Sequence, residues 1–344
     1  MSSHLGELIQ QVFKTTFLAR QLIVDLFDPV AADETVEESG IRMHICLHEK
    51  LLECEMVVDC SLSFQFDKIE DMQSIPTSIQ ESLRIPYRLT EEQIDFYSRN
   101  RFIKLKQVLD LPTLEFFNDA ITERVSLMNR ETRPLEDRST YGKAFLQLFN
   151  MWREDEVVRQ LVFSERLAKI AADLMQVEGV RLYHDQALFK EGGGGITPWH
   201  ADQYYWPLDS DKTVTAWIPL QHTPLEMGPL EFSAGSHRIV EGRDLEIGDE
   251  SVAFIRMRVT DFPHVIEPFD AGEVSFHSGW VFHRAGANKT DRVRKVMTVI
   301  YMDRDMVLKN PENENQVNDW NTWCPGARIG EVIDSPLNPV VHPV

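Results

Sequence analysis

The sequence lacks the features that would place it in a membrane or outside the cell. No stretch approaches the roughly 18 uninterrupted apolar residues of a membrane-spanning helix. The first residues carry neither the basic segment nor the apolar run of a secretion signal. Cysteine is scarce, with four in 344 residues, so a disulfide framework is not expected. We therefore predict a cytoplasmic protein with reduced thiols and no membrane partner.

Basic residues are also fewer than acidic residues. The chain has 35 lysine and arginine residues against 55 aspartate and glutamate residues, which gives a formal net charge of −20. Such a chain repels phosphate backbones, so nucleic acid is not an expected partner. The composition, 43% hydrophobic and 26% charged, is typical of a folded protein with a sizeable core.

The first 85 residues are predicted to form an added N-terminal region. Apolar residues recur at roughly helical spacing over 5–27, which predicts an amphipathic helix. An acidic loop is expected at 33–39, and an apolar segment with partial alternation follows at 41–66. Because the apolar side of the helix needs a surface to cover it, we expect this region to be a homo-oligomer interface, with a lid or a partner-binding surface as the alternatives.

Residues 86–308 are predicted to form the main domain, in which helices precede strands. The capping-box pattern Thr90-Glu91-Glu92-Gln93 predicts the start of a helix. Short apolar or alternating runs between glycine, proline and aspartate predict strands further on. Expected helices begin at Thr90 and Leu111 and cover 144–153 and 156–177, and expected strands cover 101–105, 180–190, 213–220, 252–259, 273–276 and 293–302. Residues 309–344 are predicted to be an irregular C-terminal tail.

His200 and Asp202 stand two residues apart, shortly after four consecutive glycines at 192–195. Side chains two apart in an extended chain point to the same side, so this pair is a candidate for metal binding. His283, about eighty residues downstream, offers a third ligand. Two histidines and one carboxylate on one face of a metal are the ligand set of non-haem Fe(II) oxygenases, which leaves positions open for a co-substrate and dioxygen.

Five motifs stand in order between Leu89 and Asp303. They are Leu-Thr-Glu-Glu-Gln-Ile-Asp-Phe-Tyr at 89–97, Trp-His-Ala-Asp at 199–202, Thr-Ala-Trp-Ile-Pro-Leu at 215–220, Gly-Pro-Leu-Glu-Phe-Ser-Ala-Gly-Ser-His-Arg at 228–238 and His-Arg-Ala-Gly-Ala-Asn-Lys-Thr at 283–290. Together they resemble the phytanoyl-CoA dioxygenase family of Fe(II)- and 2-oxoglutarate-dependent oxygenases. The resemblance implies a mostly β fold with flanking helices (α+β), built on a double-stranded β-helix (jelly-roll, cupin-like) core.

The same resemblance implies an enzyme whose metal ligands and catalytic residues are His200, Asp202 and His283. The implied reaction is hydroxylation of an unactivated C–H bond of a small organic substrate. Dioxygen is consumed, and 2-oxoglutarate is decarboxylated to succinate and carbon dioxide. Two alternatives stay open: the same chemistry can end in desaturation or cyclisation, and a non-catalytic jelly-roll protein can bind a metal or another ligand.

The resemblance also assigns residues to the co-substrate. It implies that Arg294 pairs with the distal carboxylate of 2-oxoglutarate, a task that suits a planar, permanently charged guanidinium. Lys190 and Trp217 are implied to line the same pocket. Arg292 competes with Arg294, because side chains two apart on a strand share a face. The distal motif departs from the commoner His-Gly-Ser-Gly of relatives and places Arg284 beside a metal ligand.

Several residues in this sequence have a second interpretation. His277 lies six residues before His283 and rivals it as a ligand, but the motif that follows His283 favours the latter. The pair His200 and Asp202 is, in isolation, an ordinary surface turn. The glycines are either a flexible loop or a mobile flap over the substrate. The nearby aromatics either belong to the core or shape an apolar substrate pocket, and they are Trp199, Tyr204, Tyr205 and Trp206.

His44, Cys46 and His48 form another candidate metal trio, because alternate residues of a strand share a face. A zinc site requires a fourth ligand, which Cys54 or Cys60 would have to supply. An ordinary half-buried strand is the interpretation that we favour.

Overall fold

The computed structural model of the chain describes residues 42–48, 51–57, 75–241, 243 and 249–343. It consists of two units, residues 1–72 and residues 73–344. The helix predicted at 5–27 and the acidic loop predicted at 33–39 lie outside the described residues.

The first unit contains an antiparallel hairpin of β1 (Arg42–His48) and β2 (Leu51–Val57). The hairpin falls within the alternating segment predicted at 41–66 and explains its pattern, because a strand repeats with period two. The candidate trio His44, Cys46 and His48 lies on β1. The interpretation that we favour, an ordinary half-buried strand, stays a prediction.

The second unit begins with helices. The α-helices of this unit are α1 (Thr77–Arg84), α2 (Glu91–Asn100), α3 (Leu111–Met128), α4 (Thr140–Ala144), α5 (Glu156–Val162), α6 (Glu165–Met175), α7 (Asp249–Val259) and α8 (Glu314–Trp323). The predicted capping box starts α2: the Thr90 hydroxyl accepts a hydrogen bond from the Gln93 amide, and the Gln93 side chain accepts one from the Thr90 amide. No helix in the described part of the chain is long and apolar enough to cross a membrane.

Two antiparallel sheets follow. Their strands are β3 (Phe102–Leu105), β4 (Leu146–Phe149), β5 (Val180–Lys190), β6 (Thr197–His200), β7 (Thr213–Pro219), β8 (Leu230–Ser233), β9 (His264–Ile266), β10 (Val274–Ser278), β11 (His283–Ala285), β12 (Arg294–Asp303) and β13 (Val340–His342). The larger sheet has the order β13-β5-β12-β7-β10-β3, with β4 also paired to β5. The smaller sheet has the order β6-β11-β8-β9.

The larger sheet is covered on both faces. Its outer face carries apolar residues such as Ala216 and Val299, which belong to one core with Ile170 of α6. Its inner face carries Trp217, which clusters with Phe232 of the smaller sheet. Strand alternation explains this division, because successive side chains point to opposite faces. The predicted jelly-roll core with flanking helices is confirmed.

Three predicted elements differ from the structure. The helix predicted at 144–153 is wrong, because α4 ends at Ala144 and the next residues form β4 on the edge of β5. The helix predicted at 156–177 is divided into α5 and α6, where the Ser164 hydroxyl caps the start of α6. The strand predicted at 252–259 is wrong: this segment is α7, whose Ile255 and Val259 pack against Trp199 of β6.

The sequence pattern predicted that the C-terminal segment 309–344 is irregular, and the structure differs from this prediction. It contains the ten-residue helix α8, and β13 extends the larger sheet by pairing with β5. Packing supplies the reason: Cys324 and Ile333 are fully buried in a cluster with Tyr183 and Ile300 of the larger sheet.

Candidate functional site

The structure brings the three predicted metal ligands together. His200 ends β6 and stands directly opposite His283, which begins β11. Their ring centroids are 4.2 Å apart. Asp202 follows β6 in a short 3-10 turn, and its Oδ1 lies 3.5 Å from Nε2 of His200 and 3.8 Å from Nε2 of His283. One potential ligand atom from each residue lies within 4.8 Å of the others.

Backbone carbonyls orient both imidazoles. Nδ1 of His200 lies 2.8 Å from the carbonyl oxygen of Pro198, and Nδ1 of His283 lies 3.1 Å from that of Val281. Because a carbonyl oxygen only accepts hydrogen bonds, each Nδ1 carries the proton and each Nε2 keeps a free lone pair. This arrangement is typical of metal-binding histidines. Burial also lowers the pKa of His283 well below its usual value, which keeps the ring neutral.

The carboxylate of Asp202 is oriented by two further side chains. Nε2 of His277 and the hydroxyl of Thr215 lie 3.4 Å and 3.5 Å from its Oδ2. Burial raises the pKa of Asp202, but the surrounding imidazoles of His283, His200 and His277 outweigh that effect, so its pKa lies well below the usual value. The carboxylate is therefore ionised and available as a ligand. His277, the rival ligand, instead contacts Asp202 from the neighbouring strand β10.

A buried pair of basic side chains lies at one end of the inner face. Lys190 of β5 and Arg294 of β12 are direct partners across the two strands, and both are 1% exposed or less. In the described part of the chain, no carboxylate is paired with either side chain. Burial lowers the pKa of Arg294 to about 10. Burial and the charge of Arg294 lower the pKa of Lys190 to about 6.

Neutral groups surround these two basic side chains. Arg294 Nη1 donates to the Gly228 carbonyl, whereas its Nε has no hydrogen-bond partner. Lys190 Nζ donates to the carbonyl of Gly286 at 2.8 Å. The Trp217 ring lies 5.5 Å from the guanidinium carbon of Arg294. Because an unpaired buried charge costs several kcal/mol, this arrangement suits an anionic ligand. Arg292, the competitor of Arg294, is exposed.

The glycine run packs against the distal motif. Gly193 donates to the carbonyl of Asn288, and Asn288 donates to the carbonyl of Gly194. A Cβ at Gly192 would lie 2.9 Å from backbone atoms of Asp291, and one at Gly194 would lie 2.8 Å from the Glu191 carbonyl. Glycine therefore allows the close approach of two chain segments here. A mobile flap stays a prediction.

Two of the four aromatics near the metal motif belong to packed clusters outside the metal cluster. Trp199 packs with α7 and lies 4.9 Å from the guanidinium carbon of Arg284. Arg284 in turn forms an ion pair with Glu231 at 2.7 Å. Trp199 and Arg284 are sequence neighbours of the ligands His200 and His283 on β6 and β11, so they occupy the opposite face of the smaller sheet. Trp206 is buried in the cluster that contains Cys324.

Sequence reasoning did not identify Thr215. The available signal was its spacing from Trp217, since residues two apart on β7 share the inner face. The distance between Thr215 and Asp202 depends on how the turn after β6 lies against the larger sheet. No local sequence pattern encodes the position of this turn.

Comparisons with known proteins agree with this geometry. The family model described as phytanoyl-CoA dioxygenase (PhyH) matches residues 97–296. A probable alpha-ketoglutarate-dependent hypophosphite dioxygenase of Stutzerimonas stutzeri is 24% identical over 159 residues, which cover 44% of this chain and 54% of that protein. The peroxisomal phytanoyl-CoA dioxygenase of Homo sapiens is 22% identical over 254 residues, covering 67% and 73%. The chain thus spans about half the length of the first of these curated relatives.

Solved structures with the same fold include two from nogalamycin biosynthesis. The non-heme alpha ketoglutarate dependent carbocyclase SnoK is 26% identical with a TM-score of 0.62, covering 74% of this chain and 98% of its own. The epimerase SnoN, in complex with Fe3+, alpha ketoglutarate and nogalamycin RO, is 26% identical with a TM-score of 0.61, covering 73% and 98%. The family match spans more than half of the 344 residues. This chain belongs to the phytanoyl-CoA dioxygenase family.

Proposed function

We propose that this protein is an Fe(II)- and 2-oxoglutarate-dependent dioxygenase, with His200, Asp202 and His283 as the iron ligands. The observation that carries the proposal is the orientation of the donor set. Both histidines donate through Nδ1 to backbone carbonyls, so both Nε2 lone pairs are left for a metal beside an ionised carboxylate. Three protein ligands leave the remaining positions of the metal open, as a catalytic site requires.

The chain's own groups prepare the site. When bound, Fe(II) would supply the centre at which 2-oxoglutarate and dioxygen react. His277 and Thr215 hold the Asp202 carboxylate in one orientation. Arg294, with Lys190 beside it, would bind the distal carboxylate of 2-oxoglutarate, and the Trp217 ring would form a wall of that pocket. Lys190 and Arg294 are almost fully buried, so bulk water has little access to this end of the site.

For the overall reaction we propose hydroxylation of a C–H bond in a small organic substrate, with 2-oxoglutarate converted to succinate and carbon dioxide. A second outcome has some support, because SnoK and SnoN are described as a carbocyclase and an epimerase. Ring closure or epimerisation uses the same metal ligands and differs in how the substrate is placed.

Succinate formation tests this proposal. Fe(II)-loaded protein is mixed anaerobically with 2-oxoglutarate and a pooled metabolite library, and succinate is measured after oxygen is admitted. We expect iron-dependent succinate release that is lost in Asp202→Ala and retained in Asp209→Ala, an exposed carboxylate in the following segment. Stoichiometric iron binding without succinate under any condition would favour the non-catalytic metal-binding alternative.

The proposal extends to the setting of the enzyme. We propose a cytoplasmic enzyme with a small-molecule substrate, in which residues 1–85 form an added region that serves as a self-association surface or a lid. Removal of residues 1–72, the first structural unit, tests this part. A change in oligomeric state on size-exclusion chromatography supports an interface, and an unchanged state contradicts it.

A further inference from the structure

We propose that the C-terminal helix α8 supplies one wall of the substrate pocket through Trp323, and that this wall selects an uncharged, ring-containing substrate. The wall consists of Trp323, Phe149, His184 and Gln186. This inference rests on the proposed function, because it concerns the substrate of that same site.

The register of the larger sheet places this wall on the face that carries the metal cluster. His184 of β5 stands opposite Ile300 of β12, which stands opposite Thr215 of β7. Residues directly opposite one another point to the same side of a sheet. Thr215 contacts Asp202. His184 therefore lies two strands from Thr215, or roughly 10 Å at the usual strand spacing, which is a suitable distance for a substrate beside the iron.

The three rings form one continuous surface. The centroid of Trp323 lies 4.8 Å from that of Phe149 and 4.9 Å from that of His184. Phe149 and His184 are 5.6 Å apart. Phe149 stands opposite Gln186 across β4 and β5, so its ring shares the inner face. Phe149, Gln186 and Trp323 are half-buried, in contrast to the fully enclosed Lys190. This end of the inner face is therefore open to an incoming molecule.

Helix α8 is tied to the metal motif itself. The Gln316 side chain donates to the carbonyl of Tyr204 at 2.9 Å, and Tyr204 belongs to the turn that begins at Asp202. The Trp323 side chain is hydrogen-bonded to Asp319, which also accepts a hydrogen bond from the Tyr183 hydroxyl at 3.0 Å. These bonds fix both the helix and the indole ring, so Trp323 is positioned before a substrate binds.

The wall carries no ionised group. Gln186 accepts a hydrogen bond from Gln147 at 2.8 Å and lies 3.4 Å from Nδ1 of His184. Burial lowers the pKa of His184 to about 3, so this ring is neutral at physiological pH. A charged substrate group placed here would lose its hydration without gaining a counter-ion. A flat or cyclic uncharged group would instead stack on the half-buried rings of Phe149 and Trp323.

Two probes that share a naphthalene ring and differ in the charge of their substituent test the inference. The neutral 2-naphthol and the anionic 2-naphthoate are titrated by ligand-observed NMR into the full chain loaded anaerobically with Fe(II) and 2-oxoglutarate. We expect 2-naphthol to bind at least about tenfold more tightly than 2-naphthoate, because only the anion must lose hydration at a neutral wall.

Two tryptophan variants of the same helix provide the control. Trp323→Leu is expected to weaken 2-naphthol binding at least about tenfold. Trp320 donates its indole N–H to the Ala327 carbonyl. Trp320→Leu removes a side chain of the same size from α8 and is expected to change 2-naphthol binding less than about twofold. The dissociation constant of 2-oxoglutarate is measured for every variant, so that loss of folding is recognised.

Three results would overturn the inference: no binding of 2-naphthol to the wild-type protein, equal or tighter binding of 2-naphthoate, or equal losses in the two tryptophan variants. Equal losses would mean that Trp323 only anchors the helix. Failure of the proposed function looks different, since the wild-type protein would then bind no 2-oxoglutarate in the presence of Fe(II).

Discussion

Replacing Arg294 with methionine is expected to weaken 2-oxoglutarate binding strongly while leaving the fold intact. Arg294 is 1% exposed, has an Nε without a hydrogen-bond partner, and lies opposite a second buried basic side chain, Lys190. Burial destabilises the charged form in the free protein and lowers the pKa of Arg294 to about 10. A bound dicarboxylate would offset that cost.

The expected magnitude follows from the burial. Removing one partner of a buried, hydrogen-bonded charge pair costs about 2–5 kcal/mol of binding free energy. At about 1.4 kcal/mol per factor of ten, a loss of about 3 kcal/mol raises the dissociation constant roughly a hundredfold. In the free protein, loss of the hydrogen bond to the Gly228 carbonyl costs about 1 kcal/mol. Removal of an unpaired buried charge opposes that loss, so the free energy of unfolding should change by less than about 1 kcal/mol.

Isothermal titration of 2-oxoglutarate into anaerobic Fe(II)-loaded protein measures the binding, and urea denaturation measures the stability. Arg292→Met is the matched control, because Arg292 lies two residues earlier and is exposed. Wild-type affinity in Arg294→Met would refute the reasoning and transfer the role to Lys190 or Arg292. A variant that binds iron but shows weakened 2-oxoglutarate binding supports it.

Three further expectations concern proton linkage, ligand orientation and folding. Burial and Arg294 lower the pKa of Lys190 to about 6, so the free amine is mostly neutral at pH 8. A dianion favours its protonation, so 2-oxoglutarate affinity should fall as pH rises from about 6 to 8. Calorimetry in different buffers should show proton uptake that Lys190→Met abolishes; uptake unchanged in the variant would contradict this. His277→Phe removes a contact to Asp202 and should weaken Fe(II) binding about 10- to 100-fold in chelator competition, whereas unchanged affinity would exclude an orienting role. Thr90→Ala removes a helix cap and should lower the free energy of unfolding by about 1 kcal/mol in urea denaturation. Thr90→Ser keeps the hydroxyl and should retain most of this stabilisation.

Local chemistry explains which parts of the fold could be predicted from the sequence. The start of α2 was predictable because the capping box uses only residues 90–93. The long strands β5 and β12 were predictable because their apolar residues persist over ten or more positions. The segments 144–153 and 252–259 were not, since short apolar runs fit a helix and a strand equally well. Pairing with β5 makes Leu146–Phe149 a strand, and packing on β6 makes 252–259 helical.

The residues of the candidate site also divide into those that could be predicted from the sequence and those that could not. His200 and Asp202 were identifiable because they stand two residues apart at the end of a strand, and His283 because its motif is distinctive. The contact of His277 with Asp202 depends on two sheets packing face to face, and the contact of Trp323 with His184 depends on where the C-terminal segment docks. Both are long-range consequences of tertiary packing, which local sequence patterns do not encode.

Anaerobic absorption spectroscopy tests most directly whether His200, Asp202 and His283 hold iron in a form that chelates 2-oxoglutarate. Fe(II)-loaded protein is titrated with 2-oxoglutarate without oxygen, and the visible charge-transfer absorption of the chelate is followed. We expect a saturable band with one 2-oxoglutarate per iron that is absent from Asp202→Ala and present in Asp209→Ala. Stoichiometric Fe(II) binding with no band at saturating 2-oxoglutarate would contradict the proposed function.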